Sequence, residues 1–293
     1  MTATTTVATT TAWVTRFAPS PSGHLHLGHA HAAVFAERAA RDTGGRFLLR
    51  IEDIDPSRCT ADFEAAIFED LAWLGLSWEA PPRRQSEHLA DYAEALERLE
   101  RLGLLYPCFC TRKEIRAEVA RSSRAPHGPE GPVYPGTCRR LGREAREAHG
   151  VQRAAGRAPA LRLDLAAALR RTGTLTWNDR DRGEVVADPG LLGDVVLARK
   201  EVAGSYHLAV TLDDARQGVT LVTRGADLFQ ATHLHRLLQA LLGLPVPEWH
   251  HHGLITDAAG ARLAKRSGAH SIRALRAAGK SPAEVRALAG FAD

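Results

Sequence analysis

Arg16-Phe-Ala-Pro-Ser-Pro-Ser-Gly-His-Leu-His-Leu-Gly-His29 joins an apolar run to an alanine-rich one through a turn dense in proline, serine and glycine. Trp13 to Ala18 reads as a buried strand. Pro19, Pro21 and Gly23 break it, and a helix is expected from Leu27 through Ala40. Phe47-Leu-Leu-Arg-Ile51 is a short continuous apolar run, which suits a parallel strand covered on both faces. Phe63, Ile67, Leu71 and Leu74 then recur at helical spacing, as do Leu89, Tyr92, Leu96 and Leu99 before Gly103. This strand–helix alternation predicts an α/β chain built on a doubly wound, Rossmann-type parallel sheet.

The pattern changes after Leu104. Thr111 to Glu114 forms a capping box for a short helix, and a Pro/Gly-rich loop covers Ala125 to Gly136. Short strands are expected at Leu161–Asp164, Leu175–Asn178 and Glu184–Val186, inside a less regular insertion. Alternation resumes with Asp194–Leu197, Val219–Thr223 and a helix carrying Leu234, Leu237, Leu238 and Leu241. A tight turn, Asp257-Ala-Ala-Gly260, leads to the basic segment Arg262-Leu-Ala-Lys-Arg266, and Ser281-Pro-Ala-Glu284 caps a last short helix. The expected organisation is a disordered tail (1–12), a first core half (13–104), an inserted subdomain (105–190), a second core half (191–257) and a C-terminal segment (258–293).

The composition, 44% hydrophobic and 25% charged, is that of an ordinary soluble globular protein. The apolar runs fall short of the roughly 18 residues that span a bilayer, so no membrane partner is expected and a cytoplasmic location follows. A net charge of +4 favours a phosphate-bearing partner. Four cysteines in 293 residues do not suggest a disulfide scaffold.

Several clusters carry chemistry. A helix N-terminus at Ser20 to His29 offers unpaired N–H groups and a partial positive charge to a triphosphate. Gly23 and Gly28 leave room for close approach, and His26 and His29 can donate to phosphate oxygens. Lys265 supplies a cation to the same phosphates from far along the chain. Cys108-Phe-Cys110 and Tyr134-Pro-Gly-Thr-Cys138 bring three thiols that suit tetrahedral Zn²⁺, with Tyr134, His127 or a water as fourth ligand. Cys59 stands apart as an ordinary thiol. His250-His-His252 flanks Trp249 at a strand start and reads as strand and nucleotide-pocket lining.

The two separated segments resemble the paired signatures of class I aminoacyl-tRNA synthetases, usually written His-Ile-Gly-His and Lys-Met-Ser-Lys-Ser. Arg16-Phe-Ala-Pro-Ser-Pro-Ser-Gly23, Arg50-Ile-Glu-Asp-Ile-Asp55, Tyr206-His-Leu-Ala209 and Arg224-Gly-Ala-Asp227 resemble the glutamyl branch, in order. The resemblance covers roughly Trp13 to Ser271. It implies an L-glutamate pocket made by Arg16, Phe17, Ala18, Pro19, Ser20, Glu52, Tyr206 and Arg224. Arg16 and Arg224 would give charge-assisted bonds to a carboxylate, Glu52 would pair with the α-ammonium, and Tyr206 and Ser20 would supply neutral hydrogen bonds. It also implies ATP, with Mg²⁺, against Gly23, His26, Gly28, His29 and Lys265, the last with His26 and His29 as the catalytic set.

Within that branch the chain is similar to the truncated glutamyl-queuosine tRNA(Asp) synthetases. These carry Cys-x-Cys followed by Tyr-x-x-x-Cys, as Cys108, Cys110, Tyr134 and Cys138 do, which implies one structural zinc on those four residues. They also place an apolar residue after Tyr-x-Leu-Ala, here Val210. Only residues 267–293 follow the basic segment, too few for an anticodon-binding domain. The resemblance implies a monomer that makes glutamyl-adenylate and transfers glutamate to the queuosine base of tRNA(Asp). The other readings are a shortened glutamyl-tRNA synthetase that charges a 3′ end, a silent tRNA-binding paralogue and a small-molecule adenylyltransferase. Arg262 and Ala264 depart from the basic signature, whereas Lys265 keeps its cation.

Overall fold

The leading strand, β1 (Val14–Phe17), buries Thr15, Arg16 and Phe17. It lies parallel to β2 (Arg46–Ile51), with Val14 opposite Arg46 and Phe17 opposite Leu49. These coordinates come from a computed structural model, which describes residues 12–121, 127–128, 131–142, 144, 159–199, 204–255 and 271–291. The expected N-terminal tail, apart from Ala12, the 257–260 turn and the basic segment with Lys265 lie outside the described residues.

Between β1 and β2 runs α1 (Leu27–Arg41), whose buried Ala30, Ala33, Ala36 and Ala40 give it a face without bulk. The helix backbone therefore sits close to the sheet, and Thr15 Oγ1 donates to the Ala36 carbonyl at 2.7 Å. The return into β2 is tighter still: a Cβ on Gly45 would collide with the backbone of Trp13, whose carbonyl accepts from Arg46 N at 2.8 Å. Next come α2 (Ala61–Trp73), capped by the Thr60 hydroxyl, then β3 (Glu79–Arg84), parallel to β2, and α3 (Leu89–Arg101).

The insertion starts at β4 (Leu105–Cys108) and α4 (Arg112–Arg121), the latter opened by the expected Thr111/Glu114 box. Two-residue strands β5 (His127–Gly128) and β6 (Gly131–Pro132) pair antiparallel, and a single turn, α5 (Thr137–Arg140), carries Cys138. Then follow β7 (Ala160–Leu163), α6 (Leu165–Thr172), β8 (Thr176–Asp179), β9 (Gly183–Val186) and β10 (Val196–Ala198). The chain goes on to α7 (Tyr206–Arg216), β11 (Leu221–Gly225), α8 (Phe229–Leu242), β12 (Glu248–His252), α9 (Ile272–Ala277) and α10 (Pro282–Leu288).

Two parallel blocks make the main sheet: β3-β2-β1 and β11-β12-β8, with β9 antiparallel on the outer edge. They meet where Thr220 N donates to the Val14 carbonyl at 3.0 Å and Val14 N to Thr220 Oγ1 at 2.9 Å. The chain order thus reverses between β1 and β11. A doubly wound sheet opens its ligand crevice beyond the carboxyl ends of strands at such a point.

The strands expected inside the insertion at 175–178 and 184–186 belong instead to this sheet, because β8 pairs with β12 through Asp179 and Trp249. Their attachment is tertiary. Trp177 and Trp249 are buried with ring centroids 5.4 Å apart, and His251 contacts Asp179 at 2.7 Å. Conversely β10, expected to restart the core, joins β7 and β4 in the antiparallel sheet of the insertion. Among the described residues no helix is long and apolar enough to cross a membrane.

Candidate active site

At the carboxyl ends of β1, β2 and β11 lies a cavity of about 420 Å³. Arg16, Phe17 and Ala18 come from the end of β1, Glu52 from the end of β2, Tyr206 from α7, and Arg224 from β11. Six of the eight residues expected to hold glutamate therefore line one space. Pro19 and Ser20 stand beside it: the Pro19 carbonyl accepts from Glu52 N at 3.0 Å, and Ser20 Oγ lies 3.6 Å from the Cys59 sulfur. Val210, one turn beyond Tyr206, also lines the cavity.

The wall is a network of buried charges. Arg16 donates through Nε to Asp214 at 2.9 Å and through Nη1 to the Thr223 carbonyl at 3.0 Å, fastening β1 to α7 and β11. Arg50, with no exposed surface, donates to Asp214 at 2.8 Å and to Glu52 at 3.4 Å. Burial works against the Asp214 charge, but Arg16 and Arg50 outweigh it and hold that carboxyl below its usual range. Glu52 goes the other way: burial raises it to about 7, and Arg50 and Arg16 offset this only in part. Asp213, the neighbour of Asp214, takes Arg83 at 2.8 Å, Gln85 at 2.9 Å and Tyr92 at 2.9 Å.

The sequence reading missed Asp213 and Asp214. On α7 they stand seven and eight positions after Tyr206, on a face buried only by tertiary packing, where unpaired acids would be costly.

Arg224 is held differently. Its Nε donates to His251 Nε2 at 3.3 Å, Nη1 to His235 Nδ1 at 3.2 Å, and Nη2 to Thr232 Oγ1 at 2.5 Å. Among the described residues no carboxylate pairs with it, and burial lowers its pKa. Asp214 pairs directly with Arg16 and Arg50, whereas among the described residues Arg224 meets no carboxylate directly. An arginine keeps its proton even there. His250-His-His252, read as strand and pocket lining, is the end of β12, and its middle histidine is one of the Arg224 holders.

The second group collects at the start of α1. His26 is the N-cap: its Nδ1 accepts from Gly28 N at 3.1 Å, and its own N–H donates to His29 Nδ1 at 3.2 Å. Both rings thus carry their neutral-form proton on Nε2, a donor. The two imidazoles stack with centroids 3.8 Å apart. Gly28 makes room for this cap, since a Cβ there would stand 3.0 Å from His26 Cε1. Among the described residues nothing lies within 4 Å of a Cβ built on Gly23. Lys265 falls in 256–270, outside the described residues. The described flanks of that segment converge here: Ile255 packs on the cluster holding Leu25 and Leu27, and Ser271 bridges to His26.

Residues 12–289 match tRNA synthetases class I (E and Q), catalytic domain. The chain belongs to this family. The glutamyl-Q tRNA(Asp) synthetase of Rhodobacter capsulatus is 54% identical over 283 residues, covering 95% of this chain and 100% of that one. Its counterpart from Symbiobacterium thermophilum is 45% identical over 280 residues, covering 92% and 83%. The crystal structure of glutamate-tRNA synthetase from Elizabethkingia anophelis has a TM-score of 0.72 and 30% identity, covering 87% of this chain and 53% of that one. The chain thus spans about half the length of that solved synthetase.

In this class I synthetase the insertion carries a compact sulfur cluster. The sulfurs of Cys108, Cys110 and Cys138 lie within 4.8 Å of one another, with Cys110 and Cys138 at 3.5 Å. Tyr134 Oη stands 3.5 Å from Cys108 Sγ and 3.6 Å from Cys110 Sγ, and accepts from Cys138 N at 2.9 Å. A tetrahedral ion about 2.3 Å from sulfur and about 2.0 Å from oxygen sets S···S near ~3.8 Å and S···O near ~3.5 Å. The Cys110–Cys138 distance and those from Tyr134 Oη to Cys108 and Cys110 are compatible with that geometry. Arg162 covers the Tyr134 ring at 3.9 Å, adding positive charge beside the thiols.

Proposed function

We propose that the protein activates L-glutamate with ATP and Mg²⁺ to glutamyl-adenylate, then passes the glutamyl group to the queuosine base in the anticodon loop of tRNA(Asp). It acts in the cytoplasm as a monomer, with a structural Zn²⁺ on Cys108, Cys110, Tyr134 and Cys138 that ties β4 to the turn at Cys138. The observation that carries the reading is Arg224, held by neutral groups, in a pocket that also holds Glu52. Glutamate brings two carboxylates and one ammonium, groups that can pair with Arg224 and Glu52.

The α-carboxylate must stay at the mouth, where the triphosphate arrives. The side-chain carboxylate therefore takes the deep cation, Arg224, with Tyr206 and Arg16 beside it, and Glu52 takes the α-ammonium. One α-carboxylate oxygen attacks the α-phosphorus, the bond to the β-phosphate oxygen breaks, and pyrophosphate leaves. The Nε2 protons of His26 and His29, with the Lys265 ammonium, stabilise the charge that builds on the phosphates. An acceptor hydroxyl then attacks the glutamyl carbonyl carbon, the bond to the phosphate oxygen breaks, AMP leaves, and the hydroxyl proton passes to solvent. The two glutamyl-Q tRNA(Asp) synthetases similar over nearly all of this chain support the modified base as acceptor.

The test is glutamate-dependent pyrophosphate exchange without tRNA, followed by transfer of labelled glutamate to tRNA(Asp) with and without queuosine. Nuclease digestion should leave the label on the modified base. Label on a terminal adenosine would replace this reading with a shortened glutamyl-tRNA synthetase, and absence of adenylate would leave only a tRNA binder.

A further inference from the structure

Arg224 is buried, yet each group that holds it is a neutral acceptor. The other two arginines of the pocket wall are paired directly with Asp214. An arginine already matched by a carboxylate attracts a second one weakly. One held by imidazole nitrogen and hydroxyl oxygen is fixed in place and keeps its full attraction.

We infer that His235, together with His251 and Thr232, is a specificity-determining cradle: it orients Arg224 without supplying negative charge, so the pocket selects a side-chain carboxylate over the corresponding amide. The inference rests on reading the cavity as a glutamate site. None of the three touches substrate in this scheme; they are positioning residues.

The bonds fix the tautomers. His251 donates from Nδ1 to Asp179 at 2.7 Å, which leaves Nε2 to accept from Arg224. His235 accepts from Arg224 at Nδ1, so its proton sits on Nε2, 3.2 Å from His207 Nδ1. An imidazolium could not accept from a guanidinium N–H. Burial, with Arg224 alongside, pushes His251 down to about 4 and His235 well below its ordinary value, so both stay neutral near pH 7. The anion of this network, Asp179, is one imidazole removed from Arg224. That spacing matters. It lets the carboxylate set the His251 tautomer without itself occupying the guanidinium. The cradle takes one N–H from each guanidinium nitrogen, and the neutral Tyr206 hydroxyl lies within hydrogen-bonding reach on the pocket side, where a substrate carboxylate would join it.

The decisive comparison is His235→Gln, which keeps a neutral acceptor, against His235→Glu, which adds an anion at the same place. With the full-length protein, exchange kinetics are measured for glutamate, glutamine and ATP. His235→Gln should raise KM for glutamate less than tenfold. His235→Glu should raise it more than a hundredfold, move the ATP KM less than twofold, and cut the glutamate-over-glutamine preference in kcat/KM at least a hundredfold. Thr232→Asn against Thr232→Asp repeats the contrast at Nη2 and decides the matter if His235→Glu fails to fold in a thermal melt. Equal losses in the neutral and acidic variants, or losses confined to kcat, would overturn the cradle while leaving the glutamate site standing. No glutamate-dependent exchange by the unaltered protein would overturn both.

Discussion

Lowering the pH from 8 to 6 should weaken glutamate binding about tenfold, and the group responsible is Glu52. Burial at the end of β2 raises its carboxyl from the ordinary 4.5 to about 7. Only the ionised form can pair with the substrate ammonium, so affinity is present above this pKa and lost as the pH falls through it. The ionised fraction of such a group drops from roughly nine-tenths at pH 8 to roughly one-tenth at pH 6, which sets the tenfold rise in KM. The ammonium and both carboxylates of free glutamate keep their charge across this window, so the slope belongs to the protein.

The same shift has a cost in the empty protein. An acid whose folded pKa lies above its unfolded one favours the folded state when protonated. Stability therefore falls as pH rises from 4.5 through 7, by about 3 kcal/mol in all. Glu52→Gln keeps an acceptor for Arg50 and removes the charge. It should melt on the order of 5 °C higher than the unaltered protein at pH 8, lose that advantage near pH 4.5, and bind glutamate poorly at every pH. Exchange kinetics at pH 6, 7 and 8 and scanning calorimetry of both proteins make the test. A glutamate KM that is flat across that range in the unaltered protein would refute the assignment of Glu52 as the ammonium partner.

Gly28→Ala puts a methyl 3.0 Å from His26 Cε1 and 3.2 Å from Nδ1, so the imidazole must shift by a few tenths of an ångström and its cap bond is weakened; exchange should fall in kcat with little change in the glutamate KM, and α1 should lose up to about 1 kcal/mol of cap stability by chemical denaturation. Arg16→Lys cannot reproduce the bonds to both Asp214 and the Thr223 carbonyl; denaturation should show a loss of about 3 kcal/mol, and the glutamate KM should rise steeply. Cys138→Ser should take bound zinc from about one ion per chain to near none by elemental analysis and lower the melting temperature; unchanged zinc would reject the four-residue site.

The first βαβ unit was legible because its signals are local. The apolar run at Phe47–Ile51, the breakers at Pro19 and Pro21 and the small residues of α1 each act within a few positions. The candidate pocket was legible through resemblance, and six of the eight residues expected to hold glutamate line one cavity. Three things lay beyond a linear reading. Asp213 and Asp214 look like a solvated helix face until Arg16, Arg50 and Arg83 arrive from distant strands. The attachment of β8 to β12 depends on Trp177, Trp249 and the His251–Asp179 contact, none of which leaves a periodic trace. The imidazoles around Arg224 carry no spacing motif, since His235 and His251 come from different elements.

Arg16 and Arg50 are the sole basic side chains buried in the first two strands, and the carboxylate that satisfies both is Asp214, which follows Arg16 by 198 positions. A nascent chain leaving the ribosome therefore exposes two guanidinium groups bound for the interior well before their shared counter-ion has been synthesised. At roughly 5–20 residues per second that interval is on the order of ten seconds or more. Closing the core of residues 13–104 ahead of time would leave Arg16 without its carboxylate and Arg50 with Glu52 alone. The complete charge network becomes available only once α7 has been made.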